Sequence, residues 1–289
     1  MSTRRDFLGP FQLVRLIRSG TTTQVWEAIR TGEKERVALK VLLADYQKDK
    51  DEIASLVHET EVGKEVRHQN VIAIFDYHNA HGLPFLSMQL FHAKNLKIEL
   101  RERPAYLQIN IKQIVQKCAS GLAHLHEKGW VHCDIKPDNF LADEQGNVKV
   151  IDFSIALKMK KGWFGGARAK VVQGTRSYMA PEQIRRKPLD QRSDIYSLGC
   201  VIFELMSGRT PFNASNPDDL LKAHLTVTPP KLLSCSGATR DLSDLVGRMM
   251  SKNPDDRPQH MQDFIQEFRR IGMFRAGKHP KGMVGDKDI

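Results

Sequence analysis

No stretch of this chain reaches the roughly 18 consecutive apolar residues that a membrane helix needs. The nearest candidate, Ile195 to Met206, is too short and contains Glu204. Behind the opening Met-Ser-Thr-Arg-Arg-Asp there is no apolar segment, so no secretory leader is visible. Cysteine is scarce as well: Cys118, Cys133, Cys200 and Cys235 are widely spaced and form no C-x-x-C pair. That argues against a disulfide framework or a zinc site and favours reduced thiols. Together these absences predict a cytoplasmic protein. Internal repeats are missing too, and the 40% hydrophobic and 27% charged residues form an ordinary globular balance that argues against disorder. At 289 residues the chain is long enough for one large domain or two closely joined lobes.

The formal net charge of +10 is unevenly spread. Residues 1–91 carry twelve basic and twelve acidic side chains, which cancel. Between Asp152 and Lys187 nine basic residues face two acidic ones, and from Arg269 onward six face two. A solvated face, a surface that receives acidic peptides and a nucleic-acid binder are all compatible with such segments. Interleaved aromatics are lacking apart from Trp163 and Phe164, which disfavours nucleic acid.

The first ninety residues read as strands around one helix. Phe11–Ile17, Gln24–Ile29, Arg36–Leu42, Val71–Tyr77 and Leu83–Leu90 are short apolar and β-branched runs. Between the third and fourth, Ile53, Leu56, Val62 and Val66 approach helical spacing over 51–66. After Leu96 the period changes. Ile111, Ile114, Val115, Cys118, Leu122 and Leu125 mark a helix ending at Gly129. A buried helix over about 194–207 is closed by Gly208, and Leu242, Leu245, Val246, Met249 and Met250 mark another. A small β-rich part before a larger helical part predicts an α+β, two-lobed layout with the ligand in the cleft. The stretch from Gly272 onward is rich in Gly and Lys and is expected to fray.

The chemistry concentrates in His132-Cys133-Asp134-Ile135-Lys136-Pro137-Asp138-Asn139 and, further on, Val150-Ile151-Asp152-Phe153. A carboxylate, a Lys two residues later, an amide five residues later and a second carboxylate after a β-like run are the groups that phosphoryl transfer needs. One carboxylate orients the attacking hydroxyl, the other holds magnesium with help from the amide oxygen, and the Lys neutralises the moving phosphoryl group.

In motif order, from about residue 8 to 270, the chain resembles the protein kinases, and the following roles are what that resemblance implies. Val37-Ala38-Leu39-Lys40 is similar to the strand motif whose Lys holds the α/β-phosphates of ATP. Glu59 takes the place of the helix Glu that pairs with it. Asp134 matches the catalytic-loop Asp, Lys136 the loop Lys, Asn139 a metal ligand and Asp152 the other. Ala180-Pro181-Glu182 and the distant Arg257 resemble a structural ion pair, and Asp194 the buried Asp that braces the catalytic loop. Gly20 belongs to the phosphate-covering loop. Backbone groups of Gln89 to Phe91 would receive adenine, with Met88 behind and Val25, Ala38 and Leu141 sandwiching the ring. Leu141 reads equally well as plain core.

The implied fold is a β-rich N-lobe over about 8–88, a hinge over 89–95 and a helical C-lobe over 96–270. A basic, flexible tail follows over 271–289. Lys136 and Gly174-Thr175-Arg176-Ser177-Tyr178-Met179-Ala180-Pro181-Glu182 resemble the Ser/Thr branch, most like its bacterial members. The implied cofactor is Mg-ATP, with manganese as an alternative metal. The implied partners are protein substrates, acidic around the acceptor because of Lys158, Lys160, Lys161, Arg168, Lys170, Arg176, Arg185, Arg186 and Lys187.

The chain departs from the family's pattern at several points. Of the three loop glycines only Gly20 remains, with Arg18 and Thr23 at the other places, so the loop is expected to be stiffer. Ser154 replaces the glycine after Asp-Phe and is expected to limit the freedom of Asp152. Gly63 is expected to leave a gap that weakly positions the helix carrying Glu59. Cys133 stands where many members have Arg, and no Ser, Thr or Tyr lies between Ile155 and Gln173. Both facts predict an enzyme not switched on by phosphorylation of that stretch, its order coming instead from packing around Trp163 and Phe164 or from a partner. A low-activity pseudokinase or scaffold is the alternative reading, set against the retention of Lys40, Glu59, Asp134, Asn139 and Asp152.

Overall fold

The computed structural model describes residues 7–32, 34–159 and 174–275. Lys160, Lys161, Arg168, Lys170, Trp163 and Phe164 lie outside the described residues, as does the tail beyond Arg275. The chain divides into two compact units. One holds the described residues up to His92 together with Asp152–Ser154; the other holds Ala93–Ile151 and the described residues from Ile155 on.

The first unit is a six-stranded sheet with one long helix. Its strands are β1 (Phe7–Leu8), β2 (Phe11–Ser19), β3 (Thr23–Arg30) and β4 (Arg36–Leu42); α1 (Lys50–Glu65) precedes β5 (Ile74–Ala80) and β6 (Leu83–Gln89). The spatial order is β1-β2-β3-β4-β6-β5, and all neighbours are antiparallel. Phe11, Ala28, Val37, Leu39, Val41 and Phe85 form its core. Asp49 caps α1 by accepting from the amides of Asp51 and Glu52, and these two carboxylates suit the positive helix end.

The strand expected over Val71–Tyr77 begins three residues later. Residues 68–71 close a turn instead, with Val71 N donating to His68 O (3.0 Å) and Asn70 N to His68 Nδ1 (3.1 Å). Apolar content signalled a strand there, but the side-chain-supported turn took those backbone groups.

The expectation at Gly63 is also corrected. There is no gap: a Cβ added at Gly63 would meet Ile74 Cδ1 at 2.5 Å and Ile74 Cβ at 2.7 Å. The glycine lets α1 lie close against β5. Buried Leu56, Glu59, Thr60 and Gly63 share one face of the helix at i, i+3, i+4 and i+7.

The second unit is mainly helical. β7 (Lys94–Asn95), α2 (Leu96–Glu102), α3 (Pro104–Glu127), β8 (Trp130–Val131), β9 (Phe140–Ala142), β10 (Val148–Val150) and β11 (Leu157–Lys158) come first. After residue 174 follow α4 (Pro181–Ile184), α5 (Gln191–Ser207), α6 (Pro217–Thr226), α7 (Leu232–Cys235), α8 (Arg240–Met249) and α9 (Met261–Arg270). β10, β9 and β7 form a small sheet, and β11 pairs with β8. Helix α5 is buried along nearly its whole length, from Ser193 to Met206, and ends at Gly208 in the left-handed region (φ 77°). No helix among the described residues is long and apolar enough to cross a membrane.

The first residues of the expected flexible tail are tied down. Lys112 Nζ donates to Ile271 O (2.8 Å), Arg275 N to Gly237 O (2.9 Å), and Ile271 and Met273 are buried. Apolar anchors among the glycines and lysines offset the disorder that composition suggested.

Gly63→Ala tests the close packing of α1. Ala favours a helix over Gly by about 1 kcal/mol, but overpacking costs about 1–3 kcal/mol. The variant should melt lower than the wild type in a calorimetric scan, by about 2–4 °C per kcal/mol of net loss. A higher melting temperature would show that the Ile74 contact yields easily.

Candidate functional site

In the first unit three ionised groups meet. Strand β4 places Lys40 opposite Val25 of β3 and Leu86 of β6. Lys40 Nζ lies 2.7 Å from Glu59 Oε2 and 3.3 Å from Asp152 Oδ1. The Glu59 side chain is only 3% exposed, so its charge depends on the ammonium. The Phe153 backbone also hydrogen-bonds Glu59. Burial opposes the charge of Lys40, but Asp152 and Glu59 more than offset it and raise its pKa above the ordinary value. Lys40 therefore stays an ammonium.

Asp152 itself has φ 69°, in the left-handed region that a non-glycine residue enters at some cost. Ser154 has no such φ among the described residues. The substitution expected to restrict Asp152 thus falls at an undemanding backbone position, and the unusual conformation belongs to the carboxylate-bearing residue.

The loop around Gly20 is a tight connection between β2 and β3. Gly20 N donates to Thr23 O (2.8 Å), and Leu43 N to Thr22 O (2.8 Å). Arg18 pairs with Val25 within the ladder, beside a register irregularity. Neither Arg18 nor Thr23 has a positive φ, so the lost glycines leave no backbone strain behind. Of the residues expected around adenine, Ala38 lies opposite Met88 across β4 and β6, and Val25 opposite Lys40. Gln89 N donates to Ala73 O (2.8 Å), so that amide is already engaged. Phe91 follows β6 and is half-buried.

In the second unit the loop after β8 is built around Asp194. Its carboxylate accepts from His132 N (2.8 Å), Cys133 N (3.0 Å) and His126 Nε2 (2.8 Å). Burial disfavours ionisation here, yet the His126 ring and the His132 amide hold the carboxyl below the usual carboxylate range. Cys133 is left-handed (φ 68°), and its carbonyl accepts from Gln183 Nε2 (2.8 Å). Its side chain sits with Val131 and Leu189 in a cluster joined by Ile155, Leu157 and Met159. A small thiol fits where a guanidinium would lack water.

The next residue, Asp134, is held from four sides. Oδ1 accepts from Thr175 N and Oγ1, both at 2.9 Å. Oδ2 accepts from Lys136 Nζ (2.5 Å) and Asn139 Nδ2 (3.3 Å). Asn139 Nδ2 also donates to Asp134 O (2.8 Å), which commits its nitrogen and leaves its amide oxygen as the natural metal-facing atom. Lys136 Nζ reaches Thr175 Oγ1 as well (3.0 Å). Gly174 (φ 113°) makes this approach possible, since a Cβ there would stand 2.9 Å from Gln183 Nε2 and 3.0 Å from Cys133 O. Leu141 lies in β9 opposite Lys149 and Asn95, and is half-buried. Glu182 and Arg257 form a bidentate buried pair (2.8 and 2.9 Å), as the motif order implied.

Within the first unit the structure thus brings together Lys40, Glu59 and Asp152; within the second, Asp134, Lys136 and Asn139. Sequence reading missed His126 and Gln183. His126 occurs in the last turn of an otherwise apolar helix face, a buried polar residue that needed a partner, and that was its only signal.

Comparisons with known proteins show the family. The family model described as "Protein kinase domain" matches residues 11–268. A probable serine/threonine-protein kinase, PknB of Corynebacterium glutamicum, is 30% identical over 272 residues, covering 90% of this chain and 42% of that protein. The serine/threonine-protein kinase pkn3 of Myxococcus xanthus is 32% identical over 272 residues (90% and 50%). The serine/threonine-protein kinase PrkC of Bacillus subtilis is 28% identical over 262 residues (90% and 40%). The chain spans half or less of the length of these three relatives.

Removing the cation tests the Lys40–Glu59 pair apart from any activity. In Lys40→Met, burial and Asp152 both push Glu59 up. A raised folded pKa gives stability that is present below the unfolded value of about 4.3 and lost as pH rises. The melting-temperature deficit of Lys40→Met against wild type should therefore be larger at pH 8 than at pH 5. A pH-independent deficit would mean that Glu59 finds another cation.

Proposed function

We propose, from the premise that this chain belongs to the protein kinase family, that it transfers the γ-phosphate of ATP to Ser or Thr hydroxyls of proteins. The observation that carries this reading is the fourfold hold on Asp134. A carboxylate fixed by Thr175 and Lys136 keeps one orientation, and an oriented carboxylate can accept the proton of an incoming hydroxyl. Lys136, beside it, offsets negative charge on the phosphoryl group as it moves. Lys40, kept charged by Glu59, binds the α/β-phosphates. Val25, Ala38 and Met88 supply apolar contact for adenine, with Gln89, Phe91 and Leu141 completing its surroundings. Asn139 and Asp152 would hold magnesium, or manganese in its place, which when bound neutralises the phosphates.

The substrate reading rests on charge. Arg176, Arg185, Arg186 and Lys187 are described residues that give the second unit a basic surface near Thr175 in the sequence, and we infer a preference for acidic flanks. A cytosolic location agrees with four cysteines that are all free thiols. The burial of Cys133 among apolar residues supports a loop not switched by phosphorylation of 155–173. A thiol offers a phosphate nothing, and that stretch has no hydroxyl.

Labelled γ-phosphate transfer to a generic acidic protein tests the reading. Asp134→Asn should lower kcat by about 10²–10⁴-fold, and Asp152→Ala should also weaken Mg-ATP binding. Full activity in Asp134→Asn would mean a contaminating enzyme or a binding module with no turnover of its own. Restoring the loop by Arg18→Gly with Thr23→Gly should raise kcat/KM. An unchanged value would show that the unstrained loop already covers the phosphates well enough.

A further inference from the structure

Away from the groups around Asp134, the second unit contains a cavity of about 260 Å³ between the end of α4 and the loop before α9. Its lining includes Arg185, Lys187, Arg192 and Lys252, with Glu182, Asp190 and Asp255 as the acidic members. Those acids are already paired. Glu182 is held by Arg257, and Asp190 and Asp255 both bind Arg192 at 2.7 Å. Arg185, Lys187 and Lys252 have no carboxylate at ion-pair distance among the described residues.

The backbone presents these cations deliberately. Arg186 is left-handed (φ 53°), and the turn it makes leaves Arg185 and Lys187 on the cavity while Arg186 itself does not line it. Lys187 N closes that turn onto Glu182 O (2.9 Å). The opposite wall is equally fixed, because Arg257 Nε donates to Ser251 O (2.8 Å) while its guanidinium grips Glu182. Strained, well-anchored backbone of this kind tends to accompany binding.

Lys252 is the most unusual member. Its ammonium stands 4.3 Å from the centre of the Phe212 ring and 5.8 Å from that of Tyr196, and donates weakly to Ala223 O (3.4 Å). Burial, together with Arg257 and Arg185, pushes it down to about 8. A half-buried cation among other cations, backed by aromatic faces and lacking a carboxylate, is a place where an anion would be welcome.

We propose that this cavity is a docking site for a phosphorylated Ser or Thr side chain of a protein partner. A phosphate at neutral pH carries nearly two charges and three acceptor oxygens. Three unneutralised cations around one cavity suit it better than they suit a single carboxylate, and the guanidinium of Arg185 adds the planar fork that phosphate favours. Choosing a phosphorylated side chain over other anions rests on reading the chain as a protein kinase, since that reaction makes this group. The site itself rests on its geometry alone.

The test is a calorimetric or NMR titration of the purified chain, without nucleotide, using three probes. These are a peptide library with fixed central phosphoserine, its unphosphorylated counterpart, and inorganic phosphate. The phosphoserine peptides should bind at least tenfold more tightly than either control. Lys252→Met, and separately Arg185→Ala with Lys187→Ala, should lose that advantage, while Lys231→Ala on another surface keeps it. Equal affinity in wild type and cavity variants would overturn the site. Binding of inorganic phosphate as tightly as the phosphopeptide would overturn the assignment to a protein partner. Labelled-phosphate transfer to an unphosphorylated protein, run on Lys252→Met, separates the two readings. Transfer at the wild-type level with phosphopeptide binding lost supports a docking role. No transfer by the wild type itself would reject the kinase reading and leave the titration to decide the site.

Discussion

Asp194 lies in the first turn of α5, almost wholly out of reach of solvent, and accepts N–H bonds from two successive backbone amides and one imidazole. Two adjacent amides converge on that carboxylate, and just beyond the second of them the left-handed φ of Cys133 bends the chain. A conformation of this sort costs on the order of 1–3 kcal/mol, and it persists because the surroundings over-determine it. The carbonyl on the far side of the bend is held by Gln183, and the next residue is Asp134. The orientation of the Asp134 carboxylate is thus inherited from a buried one on another element.

The two units handle buried charge in different ways. In the first, a nearly enclosed Glu59 is balanced by one ammonium, shared with a carboxylate on a left-handed residue. In the second, charge is fixed by short, multiple hydrogen bonds from loop and helix. A single ion pair yields more readily than a network in which each member has two partners. Lys40 is therefore the group best suited to exchange one anion for another, and Asp134 the one best suited to stay still.

Much of this was legible in the sequence, for reasons that differ from residue to residue. The helix of Asp194 announced itself by an apolar run and a closing glycine, and Lys40 by its place in Val37-Ala38-Leu39-Lys40, the strand motif that resembles the family's. Asp134, Lys136 and Asn139 were readable because their spacing lies within one short loop. The small strands β7 to β11 gave no periodic signal, being two or three residues long. Gly63 was misread for a clear reason. Helix propensity describes a helix alone, whereas the space at that position is set by Ile74, eleven residues away on a strand. His126 and Gln183 were invisible for the same reason, since both serve partners far along the chain. The cavity of Arg185 and Lys252 depends on which cations lack a carboxylate, and composition counts charges without pairing them.

The packing of Cys133 also decides its reactivity. Its thiol is raised well above the ordinary value by burial, with the neighbouring carboxylate of Asp194 acting in the same direction. A cysteine attacks electrophiles and oxidants as the thiolate, and this one stays protonated and covered. Although it adjoins Asp134 in sequence, it offers no foothold for oxidation or for a covalent inhibitor. Cys118 and Cys200 are equally shut away, each pushed up by burial. Cys235, on the short helix α7, is the only one of the four with part of its surface open to solvent, so alkylation of the folded chain should begin there.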